Sequence, residues 1–145
     1  MIDYPITFKG ESECKKEEDR WSLETSENLK TKMSPPEEFG GSNENPSPED
    51  LFTASIQSCV IATFKSIADR KNLTYRKIET EIKASLERGK DTRPMIKNAE
   101  ITVKVTGVKN KEKASEIASA TEKNCFIHKS VKTQIQTEYN FKSKR

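Results

Sequence analysis

The residues of this chain best suited to covalent chemistry are its three cysteines, Cys14, Cys59 and Cys125. Their number is odd and no two are spaced as CxxC, which argues against the disulfide framework of a secreted protein. They are therefore either reactive thiols or bystanders, because a free cysteine also packs well as a small hydrophobic side chain. A reactive cysteine acts as its thiolate, which attacks an electrophile or is oxidised and then joins a second thiol in a disulfide.

Three other residues offer weaker candidate sites. His128 follows Cys125 by three residues, and a Cys-x-x-His pair can bind zinc, but two further ligands are missing nearby. Two other roles remain open for His128: it accepts a proton near Cys125, or it is an ordinary solvated histidine. Gly40 and Gly41 lack the preceding strand and the following lysine of a phosphate-binding loop. We therefore expect no metal and no other cofactor, and we expect Cys14, in a charged segment, to be an exposed bystander.

A long amphipathic helix over residues 47–70 must position Cys59. Ser47 suits the N-cap, Pro48 suits the first helical position, and Glu49 places a carboxylate at the positive end of the helix dipole. The residues that recur at the three- and four-residue spacing of a buried helix face are Phe52, Ile56, Cys59, Val60, Thr63, Phe64 and Ile67. This pattern predicts that Cys59 faces the interior.

Most of the remaining chain has the alternating pattern of half-buried strands. Strands are predicted over residues 2–8, 21–25, 29–33, 78–87, 99–106 and 131–141, the fourth and fifth of them as an antiparallel hairpin. Residues 34–48, rich in Pro, Gly, Asn and Ser, form a predicted irregular connector, and a second helix runs from 111 to about 123, just before Cys125. The order predicts an α+β fold in a single domain over residues 1–145: N-terminal antiparallel strands, a long central helix on an antiparallel sheet, a β-hairpin, a second helix and a C-terminal strand.

The composition excludes several classes of partner. The 26 basic and 23 acidic residues are interspersed, without a basic face, so nucleic acid is not indicated. No unbroken run approaches the roughly 18 apolar residues of a spanning helix, and no secretory leader precedes the first strand, so we expect a cytoplasmic protein without a membrane partner. Hydrophobic residues make up only 32% of the chain, which leaves a thin core for a monomer and favours an oligomer.

Three segments carry a resemblance to a known family: PPEEFGG, then NPSPEDLFTASIQSCV and, after the predicted hairpin, ATEKNCFIHKSV. Together they resemble the OsmC/Ohr family, the osmotically inducible protein C and organic hydroperoxide resistance proteins, over essentially the whole chain. The resemblance implies an OsmC-like fold in an intertwined homodimer. It also implies a thiol-dependent peroxidase that reduces organic hydroperoxides and is reset by a dithiol reductant, either a lipoyl protein or a thioredoxin-like one.

The same resemblance assigns residues to this chemistry. Cys59 falls at the family's peroxidatic cysteine and Cys125 at its resolving cysteine, although Phe126 stands where the family commonly has proline. The glutamate that opens the family's helix corresponds to Glu49. The family's arginine from the N-terminal strands falls on Arg20, in a segment without a motif of its own.

The residue types fit this assignment. A thiolate attacks the outer oxygen of a hydroperoxide and becomes a sulfenic acid, which a second thiol converts to a disulfide. On an apolar helix face a guanidinium is needed to favour the thiolate at Cys59, and we expect Arg20 to supply it with Glu49 holding its planar fork. The other arginines considered for this position are Arg70, Arg76 and Arg93.

The spacing of Glu49 and Cys59 predicts where such a site lies. Ten residues on one helix separate them by about 15 Å along the axis. If both serve one site, Glu49 of one subunit must reach Cys59 of another, which predicts a two-fold dimer with sites at its interface. Two alternatives remain: a non-catalytic OsmC-like stress protein that binds an apolar or acyl ligand in the dimer groove, and a general disulfide exchange protein, which lacks CxxC support.

Overall fold

The computed structural model describes residues 1–26, 28–91 and 93–144. The chain forms two compact units, Met1–Phe52 and Thr53–Arg145. The predicted single domain over residues 1–145 stays a prediction.

The first unit contains a three-stranded antiparallel sheet in the order β1-β2-β3, formed by β1 (Gly10–Glu13), β2 (Trp21–Thr25) and β3 (Lys30–Met33). The second and third predicted strands are confirmed, with Trp21 paired to Met33. The strand predicted over residues 2–8 is wrong, because the polar segment Gly10–Glu13 pairs with β2 instead. A segment with an alternating pattern forms a strand only where a neighbouring strand completes its backbone hydrogen bonds. The apolar side chains before β1 are exposed, that of Phe8 by 81%.

The connector after β3 is folded around Ser34. Its hydroxyl donates to the carbonyl oxygen of Ser42 at 3.0 Å, and its backbone N–H donates to Pro46 at 3.1 Å. The segment includes one 3-10 turn, Glu37–Phe39, which the prediction of a wholly irregular connector missed. Gly41 is required here because a Cβ at this position would overlap the carbonyl oxygen of Pro35.

Helix α1 spans Pro48–Arg70, and its start is the one that the sequence predicts. The Ser47 hydroxyl accepts a hydrogen bond from the Asp50 N–H at 3.1 Å, while the Asp50 carboxylate accepts one from the Ser47 N–H at 2.9 Å. This reciprocal pair satisfies two backbone donors at the helix start. The buried residues of α1 recur at helical spacing: Ile56, Val60, Phe64, Ile67 and Ala68.

Helix α1 is also long and apolar enough to cross a membrane by length and composition, with an 18-residue window of mean hydropathy 1.3. The chain has no unbroken apolar run of this length, and α1 meets the criterion through the average hydropathy of a window that mixes apolar and polar residues. The buried residues of α1 lie at the spacing of one helix face, and a core helix of a soluble protein meets the same criterion, so this is weak evidence for a membrane span.

The second unit contains β4 (Lys77–Arg88), β5 (Pro94–Thr106), α2 (Lys111–Asn124), α3 (Phe126–Lys129) and β6 (Gln134–Lys142). Strands β4 and β5 form the predicted antiparallel hairpin, with Ile82 opposite Ile101. The expectation of an antiparallel sheet is wrong for β6, which pairs in parallel with β5. The reason is that α2 and α3 carry the chain back to the opposite end of the sheet, as a parallel crossover requires.

The core of the second unit lies on one face of this sheet. Ile101, Val103 and Val105 alternate with exposed residues along β5, and Ile117 and Ala118 face inward from α2. Phe64 of α1 completes the core, with its ring 6.3 Å from that of Tyr139 and 5.9 Å from that of Tyr75. Helix α3 was not predicted, and β6 begins at Gln134 rather than at residue 131.

Candidate active site

Two of the three thiols meet at one hydroxyl. The Thr63 Oγ1 atom lies 3.9 Å from the Cys59 Sγ and 3.8 Å from the Cys125 Sγ. Cys59 and Thr63 are four residues apart on α1 and therefore lie on the same face of the helix, one turn apart. The structure thus brings together the two cysteines that the resemblance pairs, and both are free thiols.

Cys125 reaches this position because it lies between two helices. It ends α2 with an extended backbone, φ −70° and ψ 109°, and its carbonyl oxygen accepts the Lys129 N–H of α3 at 3.2 Å. Its side chain is completely buried. Cys59, predicted to face the interior, is half-buried, whereas its neighbour Val60 is fully buried.

Burial raises the pKa of the Cys125 thiol from its ordinary value of 9.0 to about 12. A hydrogen bond that the Thr63 hydroxyl can donate to the ionised sulfur lowers the pKa, while Cys59 and the carboxylate of Glu122 raise it. Cys125 is therefore a neutral thiol at physiological pH. Cys59 therefore influences the ionisation of Cys125 as well as sharing the Thr63 hydroxyl with it.

Glu122 and Tyr139 complete the surroundings of Cys125, and sequence reasoning missed both. The Tyr139 hydroxyl donates to the Glu122 Oε2 at 2.9 Å, and burial together with this carboxylate raises the pKa of Tyr139. A signal was present: Tyr139 lies on the inward positions of a predicted strand, where a tyrosine hydroxyl needs a polar partner.

Arg20 and Glu49 lie in the first unit. The Arg20 guanidinium is 3.8 Å from Asp19 and 4.0 Å from Glu44, with its side chain 48% exposed. Glu49 is half-buried in the first turn of α1. Their assignment to the reaction stays a prediction.

The other arginines considered lie at exposed positions in the second unit. Arg70 donates from Nε to the Ser66 carbonyl at 3.4 Å, Arg93 is 3.9 Å from Asp91, and Arg76 precedes β4. All three are exposed, as Arg20 is, so exposure does not distinguish among the four arginines.

The remaining candidates are Cys14 and His128. Cys14 is exposed, and its thiol donates to the Arg20 carbonyl at 3.4 Å across the β1–β2 turn. His128 lies in α3 and is half-buried. In residues 1–26, 28–91 and 93–144, no group of three or more His, Cys, Asp or Glu side chains is placed to hold a metal ion.

Comparison with known proteins identifies the family. A family model described as OsmC-like protein matches residues 41–140, a range that contains Cys59, Thr63 and Cys125. The chain belongs to the OsmC family. The resemblance found in the sequence is thereby confirmed, as is the predicted α+β order of strands, central helix, hairpin, second helix and C-terminal strand.

Similar structures share the OsmC fold across nearly the whole chain. An OsmC-like protein of unknown function from Vibrio cholerae superposes with a TM-score of 0.84 at 18% identity, covering 94% of this chain and all of that one. An organic hydroperoxide resistance protein from Legionella pneumophila gives 0.76 at 16% identity, with 97% and 99% covered. The organic hydroperoxide resistance protein OhrB of Bacillus subtilis gives 0.67 at 19% identity, with 94% and 98% covered. At these identities the likeness establishes the fold alone.

A relative by sequence is the uncharacterized protein MJ0573 of Methanocaldococcus jannaschii, which is 31% identical over 98 residues. The match includes 67% of this OsmC-family chain and 50% of that protein. The chain thus matches about half the length of this relative.

Proposed function

We propose that this OsmC-family chain is a thiol-dependent peroxidase that reduces organic hydroperoxides. The observation that carries the proposal is the arrangement of Cys59 and Cys125 around the Thr63 hydroxyl, with sulfur-to-oxygen distances of 3.9 and 3.8 Å. Two of the similar structures belong to proteins named as organic hydroperoxide resistance proteins, which supports the substrate class.

Cys59 is the attacking residue in this proposal. It is half-buried, whereas Cys125 is fully buried, so a peroxide reaches Cys59 first. The Cys59 thiolate attacks the outer oxygen, the O–O bond breaks, and the alkoxide leaves as the alcohol after taking a proton. Cys59 is left as a sulfenic acid.

Cys125 is the resolving residue. Its sulfur attacks the Cys59 sulfur, a disulfide forms, and the sulfenic hydroxyl leaves as water with the proton that Cys125 held. The raised pKa of Cys125, about 12, suits this order, because the residue stays neutral and does not compete with Cys59 for peroxide. A dithiol, lipoyl or thioredoxin-like, then reduces the disulfide.

A guanidinium completes the site. We assign it to Arg20, held by Glu49, because a cation favours the Cys59 thiolate and orients the peroxide oxygens. Since α1 separates Glu49 from Cys59 by ten residues, the assignment requires a homodimer in which one subunit serves the other. We place this peroxidase in the cytoplasm, where reduced thiols persist.

Intact mass after treatment with tert-butyl hydroperoxide tests the function. The parent protein is expected to lose two hydrogens as Cys59 and Cys125 join, and Cys125→Ser is expected to stop at a sulfenic acid trapped by dimedone. Cys14→Ser is the matched control and should behave as the parent. If the hydroperoxide leaves both thiols free in the parent while it oxidises a reference thiol, the peroxidase proposal is wrong and the ligand-binding alternative stands.

A further inference from the structure

The hydroxyl of Thr63 lies within hydrogen-bonding distance of both reacting sulfurs. The Thr63 Oγ1 atom is 3.9 Å from the Cys59 Sγ and 3.8 Å from the Cys125 Sγ. A threonine side chain has one hydrogen to donate and lone pairs that accept. It can therefore donate to one sulfur while accepting from the other, but it cannot donate to both.

The protonation state of Cys125 decides which atom donates in its hydrogen bond with Thr63. Burial keeps Cys125 as the neutral thiol, so its S–H is the donor and the Thr63 oxygen is the acceptor. The single hydrogen of Thr63 is then free to point at the Cys59 sulfur, which carries the charge when that residue is a thiolate. A hydrogen bond to the charged form favours ionisation.

We propose that Thr63 is a further catalytic residue, whose hydroxyl stabilises the Cys59 thiolate and then relays the Cys125 proton during disulfide formation. This proposal rests on the proposed peroxidase function. In the second step the Cys125 sulfur bonds to the Cys59 sulfur and the S–O bond of the sulfenic acid breaks. The Cys125 proton passes to the Thr63 oxygen as the Thr63 hydrogen passes to the departing hydroxide, and one water molecule leaves.

The groups that face this relay explain why it is needed. The Glu122 carboxylate on α2 and the Tyr139 hydroxyl on β6 lie on the Cys125 side, and Glu122 opposes ionisation of Cys125. Direct loss of the Cys125 proton to water is therefore costly. A hydroxyl in contact with both sulfurs provides a path on which no free Cys125 thiolate is formed.

Three variants test the relay. Thr63→Val keeps the shape and removes the hydroxyl, Thr63→Ser keeps the hydroxyl, and Ser58→Ala removes an exposed hydroxyl from the residue next to Cys59 as a matched control. Two rates are measured by mass spectrometry as a function of pH: alkylation of Cys59 by iodoacetamide, and disulfide formation after one equivalent of tert-butyl hydroperoxide.

With Thr63→Val we expect alkylation of Cys59 near neutral pH to slow several-fold and disulfide formation to slow roughly tenfold, because the donor to the Cys59 sulfur and the proton path are both lost. Thr63→Ser and Ser58→Ala should match the parent. Parent-like values for Thr63→Val on both measurements, or equal losses for Thr63→Ser, would overturn the proposal. If circular dichroism shows Thr63→Val unfolded, the pair Thr63→Ala and Thr63→Ser gives the same comparison. If the parent forms no disulfide, the peroxidase proposal fails separately, while Cys59 alkylation still tests the thiolate contact.

Discussion

Tyr139 on β6 donates a 2.9 Å hydrogen bond to Glu122 on α2, three residues before Cys125. The bond joins the C-terminal strand to the helix that presents the buried thiol. It keeps a carboxylate beside Cys125, and that charge raises the pKa of the thiol. Tyr139 on β6 thus holds the Glu122 carboxylate of α2 in place beside the proposed resolving residue, Cys125.

Removing this charge should make Cys125 more reactive. In Glu122→Gln the repulsion between carboxylate and thiolate is lost, so the pKa of Cys125 falls below about 12. A fall of about half a unit would raise alkylation of Cys125 by iodoacetamide roughly threefold at alkaline pH. Peptide mapping by mass spectrometry gives the rate at this site. Glu116→Gln, an exposed glutamate on the same helix, is the control, and an unchanged or slower rate in Glu122→Gln would contradict the prediction.

The raised pKa of Cys125 also predicts how stability depends on pH. The unfolded chain releases the thiol proton near 9.0 and the folded chain near 12, so the folded state binds more protons between these values. Stability from this group is complete below about pH 9 and is lost as pH rises toward 12. The limiting slope is about 1.4 kcal/mol per pH unit, and screening by solvent around the site reduces it. Urea unfolding of the parent and Cys125→Ala should show a stability difference that shrinks above pH 9; a constant difference would argue against the shift.

Local signals explain what the sequence could predict. The start of α1 depends on Ser47 and Asp50, three residues apart, and the hairpin depends on alternation within β4 and β5. Such features are decided by neighbours in the chain. The alternating residues 2–8 fail as a strand because pairing depends on partners that alternation does not specify, and β2 pairs with Gly10–Glu13 instead.

Tertiary contacts explain what the sequence could not predict. The parallel direction of β6 follows from the path of the chain through α2 and α3, and the bond of Tyr139 to Glu122 follows from that direction. The pairing of Cys59 with Cys125 comes from the family resemblance, since the 65 residues between them carry no spacing signal. The sequence pattern indicates Thr63 only as part of the apolar face of α1, because its contact with Cys125 exists only after folding.

The connector before α1 should tolerate substitution differently at its two adjacent glycines. At Gly41 an added Cβ overlaps the Pro35 carbonyl oxygen, so Gly41→Ala must displace backbone and should cost about 3 kcal/mol of unfolding free energy. At Gly40 the surrounding space is open and φ is +87°, so Gly40→Ala should cost roughly 1 to 2 kcal/mol from backbone strain alone. Urea unfolding of the two variants gives the comparison. Equal losses of unfolding free energy in the two variants would mean that the backbone at Pro35 moves away from the added Cβ at little cost, which would contradict the prediction.

The proposed sharing of a site between subunits can be tested by complementation. Glu49 and Cys59 are about 15 Å apart along α1, so Glu49→Gln and Cys59→Ser should each abolish hydroperoxide turnover, yet their mixed dimer should hold one intact site. Equal co-expression gives mixed dimers as half of the population, which predicts about one quarter of the parent activity. Co-expression of Glu49→Gln with the double variant Glu49→Gln/Cys59→Ser is the control, because it supplies Cys59 without any Glu49. Activity no higher than this control, in a sample whose mixed dimers are verified by native mass spectrometry, would place Glu49 outside a shared site.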